Sequence, residues 1–188
     1  MGWNLNQKPE TWAAAERILL GIIQENGGSF DGRTRLYKAF YDAHLIFWRE
    51  TGRYLTEHPV VHMPNGPGVD DGASILKGLC DNGKLRFGLR SVGPYSEGVY
   101  RLADGEKIEL SDEEREAIDG AIAWVGNKTA TEISHESHLR SRTWREANQS
   151  GRAGAQLHIY LDAVSEEEYD CKMSAFDEAR RLLDDALG

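Results

Sequence analysis

Cysteine is nearly absent from this chain of 188 residues: there are two, Cys80 and Cys171, and neither has a partner at the spacing of a zinc-ligand pair or a redox motif. A disulfide framework is therefore not what supports the fold, and a chain of this length buries enough surface to need no such staple. Two cysteines and no framework make a reducing cytoplasm the expected compartment. Long apolar runs are missing as well. No window approaches the roughly 18 consecutive apolar residues that a membrane span requires, and the opening MGWNLNQK has no apolar core of signal-peptide length. Positive charge is in short supply: 22 basic side chains face 31 acidic ones, for a net charge of −9. The imbalance sits in one half, because residues 1–94 hold 11 basic and 10 acidic side chains while residues 95–188 hold 11 and 21. An acidic surface repels phosphate backbones, so nucleic acid is a disfavoured partner and a basic one would be steered in.

The signatures of common enzymes are missing too. There is no GxSxG elbow, no Walker lysine, no GxGxxG between strand and helix, and no HExxH. Cys80 follows Leu79 and precedes Asp81, whose negative charge disfavours a reactive thiolate.

What is present is helical periodicity. Pro9 suits a first helical position, and Trp12, Ala15, Leu19, Ile22 and Ile23 recur at helical spacing until Asn26-Gly27-Gly28 ends the run. SFDGR reads as a turn. From Thr34 to Glu50 the chain is apolar nearly all round, with Leu36, Tyr37, Phe40, Tyr41, Leu45, Ile46, Phe47 and Trp48, which predicts the buried centre of a domain. Pro59, Pro64 and Pro67 with nearby glycines predict a structured loop, and a short helix from Asp70 to Cys80 follows, its start favoured by Asp70-Asp71 and its end by Asn82-Gly83.

Leu85, Phe87 and Leu89 alternate with Lys84, Arg86 and Arg90 ahead of Val99-Tyr100-Arg101-Leu102, the pattern of a small hairpin. Ser111-Asp112-Glu113-Glu114 has capping-box form and opens a helix with Ile118, Ala121, Ile122 and Val125 on one stripe. Ser165-Glu166-Glu167-Glu168 opens another, over 165–187, carrying Tyr169, Phe176, Ala179, Leu183 and Leu187. No linker or internal repeat divides the chain. The expected fold is α+β and predominantly helical: one compact domain over 1–188, with about six helices and a small β-hairpin.

Two groups of side chains carry possible chemistry. His135 and His138, at i and i+3 on a helix, could seat a metal if His158 or a carboxylate supplied a third ligand; one capping and one exposed imidazole is the simpler alternative. Arg140, Arg142, Arg145 and Arg152 form a basic cluster with Trp144 among them. Stacking on a nucleotide, an internal counterweight to the acidic helices, and a protein interface anchored by Trp and Arg are the three readings of that cluster.

Two segments, Thr34 to Phe87 and Thr129 to Ala147, resemble the SocA-like Panacea domain of bacterial and phage antitoxins. The likeness lies in the aromatic helix LYKAFYDAHLIFWRETG, the proline-containing loop MPNGPGVDD, the helix end ILKGLCDNGKL and its hairpin, then ATEISHESH with a tryptophan shortly after. Ser137, His138 and Trp144 stand at the matching positions. The resemblance runs from about Ala14 to Ala147; the family's Gly-Pro-Val step is Gly66-Pro67-Gly68-Val69 here, and residues 148–188 have no strong match.

The resemblance implies an antitoxin that neutralises a cognate protein toxin by direct binding, with no catalytic residues and no cofactor. A described variant delivers its toxin to a ClpXP-type protease. The expected interface is Pro64, Gly66, Pro67 and Val69, together with His135, Ser137, His138, Arg140, Arg142 and Trp144. The alternatives are an adaptor or regulatory interaction protein without a dedicated toxin, and, further off, a metal-dependent hydrolase using His135 and His138.

Overall fold

A computed structural model describes residues 10–187, so Pro9 lies outside the described residues. The order of elements is α1 (Glu10–Glu25), β1 (Ser29–Asp31), α2 (Arg33–Thr51), β2 (Val60–Met63), β3 (Gly66–Val69), α3 (Gly72–Asp81), β4 (Leu85–Val92), β5 (Tyr95–Leu102), α4 (Asp112–Val125), α5 (Ala130–Arg140), α6 (Arg142–Gln149), α7 (Ile159–Ala163) and α8 (Glu166–Leu187). The fold is α+β and predominantly helical, with eight helices among the described residues rather than about six. The extra ones are α6 and α7, too short to show apolar periodicity.

Helix α2 lies at the centre, as its lack of a polar face predicts. Every residue from Leu36 to Leu45 is buried, and α1, α4, α5, α7 and β3 all pack around it. Its most extensive packing is against α4. A Cβ at Gly120 would come within 2.8 Å of Ile46 Cδ1, so a larger residue there would require the Ile46 side chain to shift. Around α2 gathers one core, with Ile18, Leu19, Ile22 and Ile23 of α1, Ile75 and Leu79 of α3, and Ile118 of α4. The capping box at Ser111 and Glu114 forms in full, and Thr129 with Glu132 forms a second at the start of α5.

Three expectations need correcting. Ser29–Asp31 is a strand, not a turn: it pairs antiparallel with β5 and buries Phe30, giving a three-stranded sheet in the order β1-β5-β4. The proline-rich stretch is no loop but a second hairpin, with Val60 opposite Val69 and Met63 opposite Gly66. Pro67 is tolerated there because a two-stranded ribbon leaves outer edges on which no backbone donor is required. At α3 the carboxylates of Asp70 and Asp71 do not cap the helix; Asp71 is the N-cap residue in a left-handed conformation, with φ 46°, and makes no side-chain cap hydrogen bond. No helix among the described residues is long and apolar enough to cross a membrane.

Candidate functional site

Ser141 closes α5 and opens α6, and the corner it makes determines where the expected interface residues go. Its Oγ accepts from the Trp144 backbone N–H at 3.1 Å, capping α6, and donates to Asp162 Oδ2 at 2.6 Å. Asp162, in α7, is buried and accepts three further bonds: from the Thr143 N–H and hydroxyl, each at 2.9 Å, and from the Tyr41 hydroxyl of α2 at 3.0 Å. A buried carboxylate is tolerated where its lone pairs are filled in this way. Burial and the neighbouring Asp162 carboxylate both push the Tyr41 hydroxyl well above its ordinary pKa, so it stays a donor.

This corner turns Trp144 inward. Its indole N–H donates to the Met63 carbonyl at 2.9 Å, and its ring stacks on His138 (centroids 3.8 Å apart) and on His62 (5.1 Å). The β2–β3 hairpin is thereby fastened to α5 and α6. At the hairpin turn Gly66 has φ +96°, and a Cβ on it would overlap Ser137 Oγ and come within 2.7 Å of Lys38 Nζ. Lys38, from the middle of α2, donates to the Pro67 carbonyl at 2.6 Å. Burial pulls its pKa down to about 7. Burial also lowers the pKa of His138, with the charge of Lys38 adding to the effect.

Of the expected interface residues, Gly66, Pro67, Ser137, His138 and Trp144 do come together, but mostly as an interior seam. Trp144 is 7% exposed, and Val69 and Ser137 are fully buried. These three cannot be the outer surface, because the Ser141–Asp162 corner and the second hairpin fold them under. Pro64 and His135 stand exposed on the rim.

The four arginines all make contacts within the chain. Arg140 pairs with buried Asp42 at 3.0 Å and lies 4.4 Å over the Trp124 ring. Arg142 covers Tyr169 at 3.8 Å, Arg145 donates to the His138 and Leu139 carbonyls at the end of α5, and Arg152 donates to Ser150. Burial raises the Asp42 carboxyl to about 6 against the pull of Arg140. His44, one turn of α2 before Trp48, sits between the Phe40 carbonyl and the Thr56 hydroxyl, and burial lowers its pKa to about 4.

Asp162, Lys38 and Asp42 went unread in the sequence. The signal for the last two was available: charged residues four apart inside a helix with no polar face must be buried with partners. Among the described residues no group of three or more His, Cys, Asp or Glu is placed to hold a metal ion, so His135 and His138 have no third ligand there.

A mostly helical domain whose polar side chains are spent on fastening its own elements belongs to the class of α+β modules that carry no metal cluster among the described residues. Within that class, the family model of the antitoxin SocA-like Panacea domain matches residues 36–145, more than half of the chain, from α2 into α6. The chain belongs to the SocA-like Panacea antitoxin family. No curated protein and no solved structure matches it.

Proposed function

We propose that this protein is a non-enzymatic antitoxin that neutralises a cognate protein toxin by binding it directly. Beyond the family, the observation that carries this reading is helix α8. It runs for 22 residues, yet Tyr169 is its only buried side chain among those described. Phe176 and Leu183 follow Tyr169 at successive seven-residue steps, on one helical stripe, and are 59% and 60% exposed. Such a stripe on a helix that stands clear of its own core is what helix-in-groove recognition uses.

The flanks set the partner's chemistry. Glu166–Leu187 holds eight acidic and three basic side chains, so the fitting groove is apolar with a basic rim. The rim of the seam, with Pro64 and His135, provides a second patch on the same domain. Co-expression with the adjoining reading frame tests the reading: that frame should be toxic alone and harmless with this chain present. If no neighbour is toxic alone and rescued here, direct neutralisation is wrong.

The alternative is an adaptor or regulatory role, in which the acidic helix recruits a basic partner that is no toxin. Capture by the protein at low salt and loss of the partner at high salt, without any toxicity to rescue, favours that role.

A further inference from the structure

Lys38 is 2% exposed, and among the described residues no carboxylate pairs with it. An ammonium carries three N–H donors, and among the described residues this one has a single acceptor, the Pro67 carbonyl. Asp42, four residues on, is engaged by Arg140 instead. Burying a cation without its counter-charge is costly, and a fold bears that cost where something else repays it.

The surroundings show what would repay it. Lys38, Arg33, Tyr37 and the Gly66 turn line a cleft of about 220 Å³. A second cleft, of about 340 Å³, adjoins it through shared Thr34 and Asn65 and is bounded by Ser134, His135 and His138 of α5. In a chain with 31 carboxylates, neither cleft is lined by one. The titratable groups lining the two clefts are all basic or neutral: Arg33, Tyr37 and Lys38 from α2, and His135 and His138 from α5. Arg33 is exposed and forms no ion pair among the described residues. The walls add neutral donors, from Thr34 and Asn65.

We infer that this double cleft is a binding site for an oxyanion, a phosphate or carboxylate group, held between Lys38 and Arg33 with Thr34 and Asn65 as neutral donors. Gly66 packs directly over the amine, since a Cβ there would come within 2.7 Å of Lys38 Nζ. The inference is independent of the toxin-binding reading: it rests on the charge of the cleft, not on α8.

Titration of the full chain with inorganic phosphate at constant ionic strength, followed by amide NMR and calorimetry, tests it. Saturable shifts centred on Thr34, Asn65 and Gly66 are expected, with affinity at least tenfold weaker in Arg33→Gln, an exposed change that spares the fold. Lys38→Met should weaken binding at least as much. At pH 8 the wild-type protein should take up a proton on binding, seen as a buffer-dependent heat, and Lys38→Met should not. The same titration with N-acetyl-aspartyl amide separates the sources: tighter phosphate assigns the site to a phosphate-bearing small molecule, tighter aspartyl amide to an acidic side chain. Shifts scattered over the surface, or binding undiminished in Arg33→Gln, would overturn the site.

Discussion

The imidazole of His138 lies flat on the indole of Trp144, their centroids 3.8 Å apart and their planes 3° from parallel. With the bond from Trp144 Nε1 to the Met63 carbonyl, this stack joins α5, α6 and the β2–β3 hairpin. Trp144 is thus a packing residue, and Trp144→Ala should cost about 3–5 kcal/mol of folding stability. Chemical denaturation measures it. A variant that kept full stability and lost only toxin neutralisation would return Trp144 to the surface.

Asp162 gathers four donors from α2, the α5–α6 corner and α6. Asp162→Ala should cost on the order of 3 kcal/mol, because it strands buried donors as well as removing a carboxylate. Asp162→Asn, which keeps one acceptor oxygen, should recover part of the loss. The urea midpoints of the two variants give the comparison.

Lys38 predicts an unusual alkaline trend. Its folded pKa of about 7 lies below the unfolded value of 10.5, so between these limits the unfolded chain holds a proton that the folded one does not. Stability from this residue is therefore fully present above the unfolded pKa and lost as pH falls toward 7. Urea midpoints should rise from pH 7 to about 9, a range below the raised pKa values of the buried tyrosines. Lys38→Met should flatten that rise.

His44 works in the acid range with the same sign. Its folded pKa of about 4 lies below the ordinary 6.5, so its contribution is present above 6.5 and lost as pH falls through 4. Asp42 acts oppositely, since a carboxyl raised to about 6 takes up its proton more readily in the folded state. His44→Gln should make stability between pH 6 and 4 less steeply dependent on acid, as read from urea midpoints across that range.

Much of this architecture was legible in the sequence. The apolar wrap of α2, the capping box of α4 and the Leu85–Leu102 hairpin depend on local pattern, and each formed. The candidate site was legible only as a list of residues. Whether Trp144 points in or out is decided by Asp162, eighteen positions later, and no local spacing encodes that. The β2–β3 hairpin was hidden because its prolines and glycines, loop formers by propensity, sit in a ribbon held by the Trp144 bond and by a bridge from Val61 to Gln156.

Helix α8 offers the cleanest variants. Phe176→Glu with Leu183→Glu touches exposed side chains only, so folding stability should stay within about 0.5 kcal/mol of wild type. Rescue in co-expression should nonetheless be lost. Unimpaired rescue would move the toxin contact off α8.

The central place of α2 bears on what can be inherited or transplanted as a unit. The shared family span opens at Leu36, inside that helix, and stops at Arg145, before the segment that supplies Asp162. Excised at those limits, the core would lose Ile18, Leu19, Ile22 and Ile23 from one side and the fastening of Tyr41 from another. The matched span is thus less than the unit that folds. The flanking helices are a jacket this core cannot fold without, whereas the outer face of α8 can be altered without disturbing α2.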